Sequence, residues 1–537
     1  MDTRLTDHIN LEALTGLFQY QQEAPLLFTS GAFLILFIAF YSFYILVADQ
    51  QRLRTIWVIC FSLFFYYKCS GFYFVLLIFS TGIDFASGYM IAYSAHKGWR
   101  RFYLMVSIGT NLGLLAYFKY TNFFLSTWSD LMANPYDPVA IFLPVGISFY
   151  TFQTMSYTID IYRRKIEPVD SVLDFAFFVS FFPQLVAGPI VRAADFLPQI
   201  RRKLRVTEAE LGMAFWLICG GLFKKAVISD YIGVNFVDRV FENPMAYDGS
   251  VNLLGVYGYA LQIYCDFSGY SDMAIGLGLL MGFRLPENFR SPYKSSSIQE
   301  FWRRWHISLS SWLRDYLYIS MGGNRKGKLR TYLHLMLTML LGGLWHGANW
   351  KFVVWGGMHG AMLAIERLFK EIRKGTTRKE KRSKAYQQPS LLGQYVVVET
   401  IPAQPVREKK EEPPIRSPLS FSRILGILFT FHFVCLCWIY FRAESFDMAN
   451  AMILRIVQVF DLKQAGDFVF NPLNIKIFLL IALGYFLHFL PEKWDRLVQE
   501  RFTRTSLTMK AAILAFFFWL TVQVRFEDVV PFIYFQF

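Results

Sequence analysis

The apolar residues of this chain are gathered into runs long enough to cross a lipid bilayer, and that grouping limits the fold more than any other property of the sequence. Residues 26–47, 72–93 and 420–441 each have the length of a membrane-spanning helix. Further apolar runs lie at 55–67, 103–118, 141–161, 332–345, 352–365, 473–490 and 511–524. They do not alternate, so they do not read as the strands of a membrane barrel. Hydrophobic residues make up 54% of the chain and charged residues 18%, where a soluble domain carries about a quarter charged. The expected fold is an all-α polytopic membrane protein.

Positive charge is concentrated between the runs. Arg52 and Arg54 follow the first, His96, Lys97, Arg100 and Arg101 the third, and Arg163, Arg164 and Lys165 the fifth. The loop 493–510 is basic again. Cytoplasmic loops carry this bias, which puts the N-terminus and the C-terminal residues 525–537 outside. The net charge of +14 is thus explained by loops facing cytosol and membrane lipids, with no nucleic acid implied. Residues 1–25 form a polar N-terminal segment without a cleavable signal pattern, and the first run acts as an uncleaved anchor. Most of the six cysteines sit in apolar runs without a CxxC pair and read as membrane-core residues.

Between 171 and 332 the regular pattern fails. The segments 172–187, 211–223 and 251–264 are short or interrupted by Pro, Gly and charge. Irregular backbone at membrane depth must be buried in protein or face a water-filled space, which predicts re-entrant and interfacial helices around a cavity. The core is assigned to 26–369, with a catalytic region at 260–360. A polar, proline-containing cytoplasmic linker follows at 370–418, and C-terminal transmembrane helices at 419–537.

Two histidines stand out in apolar surroundings, where an ionisable side chain is costly and marks a functional candidate. His346 lies in Gly342-Gly343-Leu344-Trp345-His346-Gly347-Ala348-Asn349-Trp350. Glycines there permit close packing, Trp345 offers an apolar wall, and Asn349 is placed to orient the imidazole or bind an oxyanion. His306 lies in an apparent amphipathic helix whose face is Trp302, Trp305, Leu309, Leu313 and Tyr316. Arg303, Arg304 and Asp315 are its polar neighbours. Imidazole suits proton transfer near neutral pH, but a structural histidine and a lipid-surface helix also fit these spacings. Asp266 and Asp272 are expected to form ion pairs with Arg284, Arg290, Arg303 or Arg304. Asp84, His432 and His488 read as hydrogen-bonding groups inside spans. No GxSxG elbow or HExxH motif occurs, so neither a hydrolase nucleophile nor a metal site is expected. These features fit base-assisted acyl transfer and proton-coupled transport alike.

Four stretches in order carry a resemblance. They are PVGISFYTFQ at 144–153, DFSGYSDMAIGLGLLMGFRLPEN at 266–288, EFWRRWHISLSSWLRDYLY at 300–318, and Leu344-Trp345-His346-Gly347. Together they resemble the membrane-bound O-acyltransferase family, and within it the bacterial alginate O-acetyltransferase branch. The teichoic acid D-alanine exporter shares much of the pattern, and Gly322-Gly323-Asn324-Arg325 looks more like the alginate type. The resemblance implies a helical bundle with a central funnel or tunnel, His346 as the catalytic histidine and His306 as the second family histidine. It implies acetyl-CoA as acyl donor with no tightly bound cofactor, and acetylation of an exocellular polysaccharide from the bacterial inner membrane. It also implies a periplasmic SGNH-type acetyltransferase partner within a polysaccharide biosynthesis complex. D-alanyl transfer, proton-coupled transport and a non-catalytic scaffold remain the alternatives.

Overall fold

Helices account for all the regular structure in the described residues of this computed structural model, which are 16, 18–22, 25–203, 205–385 and 420–524. Most of the N-terminal segment 1–25, the linker from 386 on and the tail 525–537 lie outside them. Four helical stretches are long and apolar enough to cross a membrane: Gln51–Tyr93, Glu208–Glu242, Phe421–Arg442 and Leu507–Val524. The helices Ile475–Phe489 and Glu492–Thr503, bent by 95° at their junction, make a fifth if counted as one span. The chain is a multi-pass, all-α membrane protein.

Local chemistry shifts several expected boundaries. The run at 141–161 becomes helical only at Ile147–Tyr162, because Pro144 precedes it and Gly146 holds a left-handed φ of 76°. The helix Lys97–Leu115 continues through a π-turn, Ala116–Tyr120, into Thr121–Met132, so Asp130 lies in helix where a loop was expected. Trp350–Ala385 is one continuous helix that runs past the assigned linker boundary at Lys370.

The largest revision concerns the segments that look too short to span. Glu208–Leu222 runs on through π-turns to Glu242, and residues 251–264 belong to the 32-residue helix Gly249–Leu280. The charges that interrupt both on a hydropathy plot pair with each other. The Lys225 ammonium reaches Asp230 at 2.7 Å and Asp266 at 2.5 Å, and Lys224 pairs with Asp272. Asp266 and Asp272 therefore take lysines of the adjoining helix as partners, in place of the expected arginines. Asp84 is also satisfied inside the bundle, accepting from Ser107 Oγ at 2.6 Å and from Asn111 Nδ2 at 2.7 Å. The His432 ring bonds the Tyr257 hydroxyl, and His488 Nε2 accepts the Tyr293 amide.

Short helices fill the region between the spans. Val172–Ser180, Phe182–Leu185 and Ala193–Ile200 form one such group, and Ile298–Arg304, Ile307–Trp312 and Leu313–Tyr318 another. Both groups lie on the face that carries the basic loops: Arg54 donates to the Ile200 carbonyl, and Arg163 to Asp315 O and Ser320 Oγ. From that face the helix Lys328–His346 crosses the bundle, and Trp350–Ala385 returns beside it.

The two arms of this hairpin touch backbone to backbone. A methyl group on Gly343 would overlap the Phe352 carbonyl oxygen, and one on Gly356 would overlap the Met339 carbonyl oxygen. Gly343→Ala and Gly356→Ala should each cost roughly 1–3 kcal/mol, the usual penalty of overpacking. Gly357, where a methyl would meet only Leu340 Cδ2 at 3.4 Å, should tolerate Ala. Unfolding midpoints of the three variants in detergent test this ordering.

Candidate active site

His346 is the last residue of the helix Lys328–His346. At 1.5 Å per residue this places it about 28 Å from the basic face where that helix starts. Its ring lies among Trp345 (5.0 Å between centroids), Trp355 (5.0 Å) and Phe441 (5.5 Å). Only 3% of the residue is exposed, yet it borders a cavity of about 2240 Å³. Gly342, Trp302 and Trp355 line the same cavity near it, and Arg290, Arg303, Arg367, Lys370 and Arg496 line it as well. The space therefore connects exposed basic side chains to the imidazole at the far end of the hairpin.

The sequence suggests one amphipathic helix around His306; the structure breaks it there. His306 adopts φ 43° and ψ 56°, a left-handed conformation for a residue with a Cβ, at a cost of about 1–2 kcal/mol. Asn288 holds the break in place. Its Oδ1 accepts the Ser308 amide at 3.3 Å, the Ser308 hydroxyl at 2.9 Å and His306 Nδ1–H at 3.0 Å. Its carbonyl accepts the Ile307 amide at 2.9 Å, and its Nδ2 donates to Ser271 Oγ at 3.1 Å. A backbone amide can only donate, so the Ser308 N–H fixes which end of the Asn288 amide faces His306, and with it the tautomer. Nδ1 carries the proton. Nε2 presents a lone pair and has no hydrogen-bond partner among the described residues.

Because the helix breaks, Trp305 leaves the surface expected for it. It is fully buried among Phe289, Phe301 and Trp438, so the tryptophans do not mark a headgroup-level stripe. Trp345 joins the two histidine neighbourhoods, with its ring 6.1 Å from His306 and 5.0 Å from His346. Arg303 is exposed and lines the cavity. Arg304 also lines it but is buried and ion-paired with Glu300 at 3.0 Å. Burial raises the Glu300 pKa, yet hydrogen bonds from Ser296 and the Arg304 charge outweigh it and hold the carboxyl below its ordinary range. Asp315 pairs with Arg192 at 2.8 Å and Arg314 at 2.7 Å, beside Tyr316 on the basic face. Asn349 is exposed and its Oδ1 accepts the Lys351 amide, a cap for the returning helix.

Three residues near the histidines escape a reading by spacing. Asn288 closes one of the motifs, but nothing local marks it as the lock on His306. Lys119 donates to the main-chain oxygens of Trp345 and His346; a lone lysine inside an aromatic run was the available signal. His359 is fully buried against Trp355 (4.8 Å) and Trp302 (5.1 Å).

Asn288→Ala would leave the Ser308 hydroxyl and amide and the His306 Nδ1–H without their shared acceptor. The expected loss of stability is roughly 1–3 kcal/mol. Ser271→Ala, which removes only one bond of this set, should cost less; denaturation of the purified variants compares them.

The chain was also compared with known proteins. Residues 162–389, which include both histidines, match the family model described as MBOAT, membrane-bound O-acyltransferase family. The chain is 43% identical over 350 residues to the "Probable alginate O-acetylase AlgI" of Pseudomonas putida, covering 64% of this chain and 71% of that protein. It is 37% identical over 462 residues to the protein of the same name from Azotobacter vinelandii, covering 84% and 80%. With the "Peptidoglycan O-acetyltransferase" of Helicobacter pylori it shares 34% identity over 464 residues, covering 80% of each. The helical architecture, the cavity lined by His346 and these similarities agree: the chain belongs to the membrane-bound O-acyltransferase family and is an O-acyltransferase.

Proposed function

We propose that this enzyme transfers an acetyl group from acetyl-CoA, taken from the cytoplasm, to an acceptor serving an exported polysaccharide on the other side of the bacterial inner membrane. The observation that carries this reading is the cavity lined both by the exposed Arg290, Arg303, Lys370 and Arg496 and by His346. The basic face is the cytoplasmic one by the positive-inside rule. Arg290, Arg303, Arg367, Lys370 and Arg496 are suited to the phosphates of coenzyme A. The same cavity is lined by His346, so in this reading the thioester is delivered to that imidazole.

In the transfer, His346 takes the proton of the acceptor hydroxyl while its oxygen attacks the thioester carbonyl carbon. The carbonyl π pair moves onto oxygen, then re-forms the double bond as the C–S bond breaks. The thiolate leaves and takes the proton back from the imidazolium, so ester and free thiol are the only products. His306 supports this site in a different way from His346. In the tautomer set by Asn288, Nε2 offers a lone pair and no hydrogen, so it can accept a bond but cannot donate one to a carbonyl. It is absent from the cavity walls, and it acts on the site through Trp345.

The relatives named for alginate and peptidoglycan acetylation support a glycan as final acceptor. A periplasmic SGNH-type acetyltransferase, in a polysaccharide biosynthesis complex, completes the delivery in this reading. Replacing His346 by Ala should leave insertion and abundance unchanged but lower O-acetylation of the exported polymer by 10²-fold or more, within the range of about 10²–10⁴ for general acid–base catalysis. Acetyl content measured on secreted material would sink the proposal if it stayed at the wild-type level.

A further inference from the structure

The helix that carries His346 ends without a cap of its own. The last carbonyls of an α-helix have no intrahelical donors, and here the chain leaves through Gly347 in extended conformation (φ −160°, ψ 148°), with no left-handed C-terminal residue to satisfy them. The missing donors come from a segment more than 200 residues away. Lys119 Nζ donates to Trp345 O at 2.6 Å and to His346 O at 3.1 Å, and the Tyr120 hydroxyl donates to Leu344 O at 2.9 Å. Three consecutive carbonyls are thus held by two consecutive residues.

Both donors belong to the π-turn Ala116–Tyr120. Such turns interrupt helices rarely and often at functional places. The ammonium also lies 5.9 Å from the centroid of the Trp345 ring, within range of a cation–π attraction. No carboxylate pairs with Lys119 among the described residues; its partner is the negative end of the helix. Taking an ammonium out of water is costly unless it is hydrogen-bonded, and here its bonds go to this helix end.

We propose that Lys119, assisted by Tyr120, is the positioning residue that fixes the end of this helix so that the His346 ring stays at the cavity. The proposal rests on the reading of His346 as the base. Anchoring the main chain at the residue itself, and at the Trp345 ring next to it, limits the sway of the imidazole. Misplacement of a reacting group by about 1 Å can cost 10²-fold in rate.

The test uses the full-length protein in inverted membrane vesicles supplied with radiolabelled acetyl-CoA, with rates normalised to folded protein. Lys119→Met should lower kcat by 10- to 100-fold and leave KM for acetyl-CoA unchanged. Lys119→Arg, which can still donate to both carbonyls, should recover most of the rate. Tyr120→Phe should show a smaller kcat loss at the same KM, and it serves as the readout if Lys119→Met does not accumulate. A wild-type kcat in Lys119→Met, an effect confined to KM, or equal losses in the Met and Arg variants would overturn the proposal. His346→Ala measured in parallel separates the two ideas. If it stays active, the base assignment fails; if it is inactive while Lys119→Met turns over normally, only the positioning role fails.

Discussion

A lipid-embedded body offers no water to complete an unpaired polar group, and the rest of this structure follows from that constraint. Each charge at membrane depth must find its partner within the protein. Lys225 shows the consequence, at 2% exposure between two carboxylates. Such a cluster is poor evidence of stability in itself, since desolvation offsets most of the attraction. Its geometric effect is stronger. One carboxylate lies on the lysine's own helical stretch and the other on the neighbouring helix Gly249–Leu280. A slide of one helix along the other would strand a bare charge, so the pairing fixes their register. Those two helices form one wall of the cavity, through Lys224, Cys265 and Asp272.

The same constraint explains what the sequence could and could not reveal. The outer spans are legible because lipid demands uninterrupted apolar residues there, and the basic loops give their direction. The inner helices are obscured because hydropathy counts each charge singly. Lys225 and Asp266 lower the apolar score of their segments although each neutralises the other, and nothing local reveals a partner 41 positions away. The helix around His306 fails for a different reason. Its apolar spacing fits a continuous turn, and one residue with positive φ, held by an asparagine 18 positions earlier, breaks it. Periodicity reports the average conformation of a window and is blind to a single inverted residue.

The motifs carried more of the site than the periodicities did, because they include residues whose reason for being there is long-range. Asn288 closes one motif and organises the backbone of the next. The Gly343–Gly356 contact shows the same principle in the hairpin. The glycines near His346 are legible as close packing, while the partner glycine is identified only by the crossing. Lys119 lies just past the apolar run 103–118, and nothing local in the sequence tells which helix end it meets.

The two histidines illustrate two ways to hold an imidazole without water. At His306 the protein fixes the ring itself: Asn288 takes Nδ1–H, and strained backbone sets the direction of the side chain. Strain of this kind persists only where surrounding bonds over-determine it, and Asn288 supplies four of them, to His306, to the Ile307 amide and to the Ser308 amide and hydroxyl. At His346 the protein holds the main chain, through Lys119 on the Trp345 and His346 carbonyls, and the residue borders the cavity with aromatic walls from Trp345, Trp355 and Phe441. In the transfer proposed above, a base that takes a proton and returns it needs room for reactants at its nitrogen, and holding it by its backbone is compatible with that role. A group that shapes the site from behind can be locked at the ring. The tryptophan between them, in contact with both, links the rigid histidine to the one at the cavity.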